Sequence, residues 1–188
     1  MDRIILASQS PRRKQLLELA EIQFEIQVAD IDETPPIGMP GHDVPEHLAK
    51  EKASVIVAGN PGAIVIAADT IVLLDEEILG KPIGEEDAMN ILSKLAGRMH
   101  RVVSGVCIQR DDVQQSFSAV TEVYFRPLTP EQVRHYVANY KPYDKAGAYA
   151  IQEWIGMVGI EKINGDYYNV MGLPIGQVSQ RLKMFGIK

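Results

Sequence analysis

The sequence predicts an α/β protein built on a mixed sheet, and three observations carry that reading. Apolar runs with strand character, "RIILAS" and "AIVIAADTIVLL", alternate with segments whose apolar residues recur at helical spacing. Two β-rich runs, "HRVVSGVCIQR" and "SFSAVTEVYFRPL", follow each other around the polar "DDVQQ", a hairpin signal that argues against a purely parallel sheet. At 188 residues the chain suits one domain, or two tightly joined lobes, with room for a substantial core.

The elements follow in order. "RIILAS" is a short strand. A helix then starts with Ser10 as N-cap and Pro11 at the favoured first position, its apolar face formed by Leu16, Leu17, Leu19 and Ala20. "FEIQVADID" alternates Phe24, Ile26 and Val28 with polar neighbours, the pattern of a half-buried strand, and the Pro- and Gly-dense "ETPPIGMPGHD" is loop. A helix runs from near Pro45 to Ala58, with Gly59 at its C′ position. Ala63 to Leu74 is a long strand, and "EEI" after it is a tight turn. "GEEDAMNILSKLAG" is a helix closed by Gly97, and the hairpin strands come next. In "TPEQVRHYVANY" Thr129 and Gln132 form a capping box behind Pro130. A loop covers Tyr143 to Gly147, "MVGIEKINGDYYNVMG" reads as strand and turn, and "LPIGQVSQRL" opens the last helix.

Composition narrows the function. An apolar fraction of 46% with 23% charged residues is that of an ordinary folded protein. Lys and Arg total 19 against 25 Asp and Glu, a net charge of −6, so broad binding to a nucleic-acid backbone is disfavoured and any anion site must be local. No apolar run reaches membrane-spanning length and "MDRIILASQ" is too short an apolar stretch for a signal peptide, so a cytoplasmic protein is expected. The single Cys107 sits in an apolar strand, as a core residue does. His42, His47, His100 and His135 have no zinc-type spacing, and neither a G-x-x-x-x-G-K-[ST] nor a G-x-S-x-G motif is present.

Charges in the wrong places point to a site. Arg12, Arg13 and Lys14 fill the first turn of a helix, where each exposed cation costs about 0.3–1 kcal/mol against the macrodipole. Two readings stand: solvated surface charges, or a phosphate cradle made by backbone N–H groups, the Ser8 and Ser10 hydroxyls and two guanidiniums. On the cradle reading, loss of Arg13 leaves the ligand-free protein as stable or slightly more so. Asp69 interrupts an apolar strand, where an unpartnered carboxylate costs several kcal/mol, so it is paired, capping a strand bend, or facing a cleft. Lys52 falls on the apolar helical stripe Leu48, Lys52, Val55, Ile56, either snorkelling outward or meeting an anion. Lys81 lies in "LGKP", a loop fixed by its glycine and proline. Asp32 and Glu33 leave a strand for a stiff loop, as solvated acids or as carboxylates for Mg²⁺.

Six motifs, "LASQSPRR", "DET", "KEKA", "AADTIV", "LGKP" and "DKAGAYAIQ", occur in an order that resembles the Maf family of nucleotide pyrophosphatases from Ile4 to about Gly172. The resemblance implies an elongated fold over 1–188, two lobes around a central nucleotide cleft, related to inosine triphosphate pyrophosphatases and usually a homodimer. It implies hydrolysis of a nucleoside triphosphate to the monophosphate and pyrophosphate with Mg²⁺ or Mn²⁺. Carried over position by position, it makes Ser8, Arg12, Arg13, Lys52 and Lys81 phosphate-binding, Glu33 metal-associated, and Asp69 the general base, also near the metal. Arg12, Thr70 and Gln152 match the branch acting on dTTP and UTP, whereas the 7-methyl-GTP branch has an aromatic residue after "SP". Gln152 offers an acceptor and a two-proton donor to the edge shared by thymine and uracil. One departure is Ala148, where many members have a second glycine. The resemblance also admits a non-catalytic nucleotide-binding regulator of septum formation. No stable nucleic-acid or membrane partner is expected.

Overall fold

The computed structural model describes residues 2–187. Its elements are β1 (Ile4–Leu6), α1 (Pro11–Leu19), β2 (Glu25–Ile26), α2 (Val44–Ala58), β3 (Ile64–Leu74), β4 (Glu77–Leu79), α3 (Glu85–Leu95), β5 (Met99–Arg110), β6 (Val113–Phe125), α4 (Pro130–Tyr140), α5 (Trp154–Gly159), β7 (Ile160–Asn164), α6 (Tyr167–Met171) and α7 (Ile175–Leu182). The strands form one mixed sheet in the order β2-β1-β3-β5-β6-β7, with β4 beside β3, which is the α/β class expected. The chain divides into two compact units. The first holds the described part of Met1–Thr70, Ser104–Ala119 and the described part of Gly172–Lys188; the second holds Ile71–Val103 and Val120–Met171.

In the first unit β1 is parallel to both β2 and β3, with Ile5 opposite Glu25 and Val65. Parallel neighbours need crossovers, and α1 and α2 lie in those connections. Strand β1 is buried throughout, so it reads as an unbroken apolar run. Ile5, Ala7, Val65 and Ala67 pack with Ala49, Ala53 and Ile56 of α2 and with Cys107. Burial pushes the Cys107 thiol up to about 12, as befits a core residue. The N-terminus of α2 approaches β5 so closely that a Cβ on Gly105 would lie 2.0 Å from the Glu46 nitrogen. Glu46 there accepts from the Ser116 and Ser118 hydroxyls at 2.7 and 3.0 Å.

Three expectations for this unit need correction. The half-buried strand around Phe24, Ile26 and Val28 shrinks to the two residues of β2, a sheet edge on which Ile26 and Val28 are exposed. Leu19 and Val55 also face solvent, so the apolar stripes of α1 and α2 are narrower than their sequences suggest. Gly59 closes α2 with an ordinary right-handed backbone.

In the second unit β3 continues from Ile71, and Val72, Leu73 and Leu74 pair antiparallel with Leu79, Ile78 and Glu77 of β4. Asp75, at φ 54°, takes the left-handed position that this two-residue turn requires. The turn thus sits one residue earlier than "EEI", and Glu77 and Ile78 are strand. β6 pairs antiparallel with β7, with a register shift at Tyr124/Phe125. The Thr129–Gln132 capping box forms as expected, with bonds of 2.9 and 3.2 Å. His100, Phe125 and Tyr149 make an edge-to-face cluster, and His100 Nε2 lies 2.7 Å from the Tyr149 hydroxyl. The stretch "MVGIEKINGDYYNVMG", read as strand and turn, also holds the end of α5 and all of α6. These helices have six and five residues, too few to display a helical period.

Candidate active site

The first turn of α1 is built around hydroxyls. Ser10 caps the helix by accepting from Arg13 N at 3.4 Å, and Ser8 Oγ accepts from Ser10 N at 3.2 Å. Arg13 turns back into the unit. Its Nε donates to Gly172 O at 2.8 Å, Nη1 to Ala68 O at 2.9 Å and to Ser8 Oγ at 3.1 Å, and Nη2 to Thr70 Oγ1 at 3.0 Å. Burial lowers the Arg13 pKa from its ordinary value, with Arg12 acting in the same direction and the Asp69 and Glu33 charges opposing. An arginine starts so high that it stays charged. The expected free cation of the cradle is thus a guanidinium already held by four protein acceptors, and the expectation that its loss leaves stability unchanged is withdrawn. Arg12 is half-buried on the same turn.

Strand β3 alternates its side chains between two faces. Asp69 continues the row of Val65 and Ala67 towards α2, whereas Thr70 points to the side held by Arg13. These two residues are the only positions of β3 that are not buried, at the place where the apolar run is broken. Lys52, buried on α2, places its ammonium 2.9 Å from Asp69 Oδ1 and 2.7 Å from Glu33 Oε1. The side chains of Lys52, Asp69 and Glu33 are 11%, 17% and 58% exposed, so the pair Lys52–Asp69 is the one shielded from water. A lysine in an apolar stripe is accounted for by two carboxylates rather than by snorkelling. The first unit therefore holds two groupings on the two faces of β3, Lys52 with Asp69 and Glu33, and Arg13 with Ser8 and Thr70.

Among the described residues no three His, Cys, Asp or Glu side chains converge as a ready metal cage. Two carboxylates meeting at one ammonium nonetheless fit a hard divalent cation that takes one or two protein carboxylates and completes its shell with phosphate oxygens and water.

Lys81 and Gln152 belong to the second unit, and both are exposed. Around Gln152 the backbone is pinned: the Tyr136 hydroxyl donates to Glu153 Oε2 and accepts from Ala150 N at 3.1 Å. Lys145 reaches Asp144 at 2.7 Å and Glu153 at 3.7 Å. Gly147, at φ 70°, lets the "DKAG" loop pass Val72, whose methyl would lie 2.7 Å from any Cβ; Ala148 is also left-handed, at φ 59°. Sequence reading missed Ser104, Gly172, Tyr136 and Glu153. Ser104 had a signal, a hydroxyl within the apolar "VVSGVCI", of the kind that exposed Asp69.

The chain matches the family model described as Maf-like protein over residues 3–185. It is 49% identical over 183 residues to a dTTP/UTP pyrophosphatase of Cytophaga hutchinsonii, covering 97% of this chain and 84% of that one. It is 45% identical over 182 residues to a dTTP/UTP pyrophosphatase of Bacteroides thetaiotaomicron, covering 96% and 94%. A dTTP/UTP pyrophosphatase of Phocaeicola vulgatus is 47% identical over 183 residues, covering 96% and 95%. Among solved structures, the Ham1 protein of Staphylococcus aureus superposes with a TM-score of 0.49 at 15% identity, over 66% of this chain and 72% of that chain.

Proposed function

This chain belongs to the Maf-like protein family, and from that premise we propose that it hydrolyses dTTP and UTP to the monophosphate and pyrophosphate. The observation that carries the proposal is the meeting of Glu33 and Asp69 at the Lys52 ammonium beside a helix start rich in arginine. Water attacks the α-phosphorus, a new P–O bond forms, the α–β bridging P–O bond breaks, and pyrophosphate leaves. Asp69 takes the proton of the attacking water. Arg12 and Lys52 stabilise negative charge that grows on the phosphoryl oxygens, more in the transition state than before it. Ser8 and the N-terminus of α1 orient phosphate oxygens. Arg13 enters this reading mainly by fixing Ser8 and the strand on either side of Asp69. Glu33 and Asp69 would hold Mg²⁺ or Mn²⁺, which when bound supplies positive charge to the phosphates and the attacking oxygen.

Lys81 as a phosphate ligand, and Arg12, Thr70 and Gln152 as residues of substrate choice, come into the proposal from the family pattern. The names of the relatives favour the pyrimidine branch over 7-methyl-GTP. A homodimer also rests on the resemblance, and a cytoplasmic location on the sequence reading of its apolar runs; no helix among the described residues is long and apolar enough to cross a membrane. The test is pyrophosphate release from a panel of nucleoside triphosphates with Mg²⁺. We expect dTTP and UTP to lead and CTP to trail by roughly tenfold or more, since cytosine mispairs polar groups at about 1–3 kcal/mol each. Binding without pyrophosphate release would favour the non-catalytic regulator, and faster turnover of 7-methyl-GTP would move the chain to the other branch.

A further inference from the structure

We propose that Ser104 is a positioning residue for this hydrolysis, closing through Thr70 a hydrogen-bonded bracket that fixes the short stretch of β3 carrying Asp69. The inference rests on the pyrophosphatase reading above. Its starting point is proton accounting at one hydroxyl. Thr70 Oγ1 has one proton to give and two lone pairs to receive. Arg13 Nη2 donates to it at 3.0 Å, Gly172 O lies 3.2 Å away, and Ser104 Oγ lies 2.8 Å away. A carbonyl only accepts, so the Thr70 proton goes to Gly172 and the Ser104 proton goes to Thr70. The hydroxyl is then saturated by its own chain.

Two consequences follow. Thr70 has no hydrogen-bonding capacity left for a base or sugar, so its influence passes through the strand. Ser104, fully buried on β5 beside β3, supplies the one proton that completes the arrangement. The same guanidinium that holds Thr70 also holds Ala68 O, so the residues on both sides of Asp69 are clamped. Asp69 itself points to the opposite face, towards Lys52. A carboxylate aimed at a water needs its backbone held, since a misplacement near 1 Å is worth about a hundredfold in rate. Gly172, at φ 119°, brings its carbonyl to both Arg13 and Thr70.

The test is a double-mutant cycle of Ser104→Ala and Thr70→Val, with Thr70→Ser as the variant that keeps the hydroxyl, read as kcat and KM on dTTP and UTP together with melting temperature. Each of the first two is expected to lower kcat about tenfold on both substrates, with KM and the dTTP-to-UTP ratio within about twofold. The double variant is expected to be no slower than Thr70→Val, because Ser104 acts through Thr70. Thr70→Ser is expected to stay within about threefold of wild type. A lowered melting temperature with unchanged kcat would leave Ser104 merely structural and overturn the proposal. Multiplying losses in the double variant, or a ratio shifted more than about fivefold by Thr70→Val, would overturn it too. Should Ser104→Ala fail to fold, Ser104→Cys, which keeps the volume but donates only weakly, is expected to lower kcat at unchanged KM, and a wild-type kcat in it would overturn the proposal. A wild-type protein that releases no pyrophosphate would instead remove the reading beneath it.

Discussion

At Arg13 the macrodipole and hydrogen-bond geometry pull in opposite directions, and magnitudes decide. A cation in the first turn costs about 0.3–1 kcal/mol, whereas a hydrogen bond from a charged group contributes about 1.5–3 kcal/mol, and Arg13 makes four. Arg13→Ala is therefore expected to destabilise the ligand-free protein by roughly 2–4 kcal/mol, about 5–15 °C in a thermal melt of a chain this size. An unchanged melting temperature would return Arg13 to the role of a free phosphate cation. Residues of this kind differ in how far a sequence betrays them. Asp69 and Lys52 stood out because each breaks an apolar pattern, and the structure joins them. Glu33 drew notice only as an acid in a stiff loop. The direction in which Arg13 turns has no sequence signal, because its partners are two backbone carbonyls and two common hydroxyls. Gln152 enters through the family motifs, and Lys81 through them and its Gly- and Pro-flanked loop.

At the scale of elements, legibility followed length and local chemistry. α4 was readable to its first residue because the Thr129–Gln132 capping box satisfies its N-terminal N–H groups without help from the rest of the fold. β3 was readable because a strand buried along most of its length is nearly all apolar. β2, β4, α5 and α6 were misread or missed, each having no more than six residues. Such pieces owe their form to neighbours: β4 exists because Asp75 accepts a left-handed turn and hands the chain back to β3. The close approach of β5 to the start of α2 left one trace in the sequence, Gly105, which no local rule singles out. Ala148 sits at φ 59°, a left-handed backbone where a Cβ costs about 1–2 kcal/mol and glycine would be free of that cost.

For the whole molecule, fold class and charge were legible together: a mixed sheet, and an acidic chain whose clustered cations lie at one helix start. Acid stability is also a property of the whole, and His100 shapes it. Burial pushes its pKa down to about 3, below the ordinary 6.5 of an unfolded histidine. The unfolded chain thus binds the extra proton between these values, so the stabilisation is complete above about pH 6.5 and lost as pH falls towards 3. Urea unfolding is expected to show about 1–2 kcal/mol lost between pH 6.5 and 5 from this group, and His100→Gln should flatten that slope; identical slopes would contradict it. The proposed mechanism has Asp69 activate the attacking water while Lys52 and Arg12 hold the phosphates. Its most direct test is pyrophosphate release from saturating dTTP by wild type and Asp69→Asn. A fall in kcat of about 10²–10⁴-fold with nucleotide affinity kept within a few-fold is expected, and a loss below about threefold would rule out Asp69 as the base.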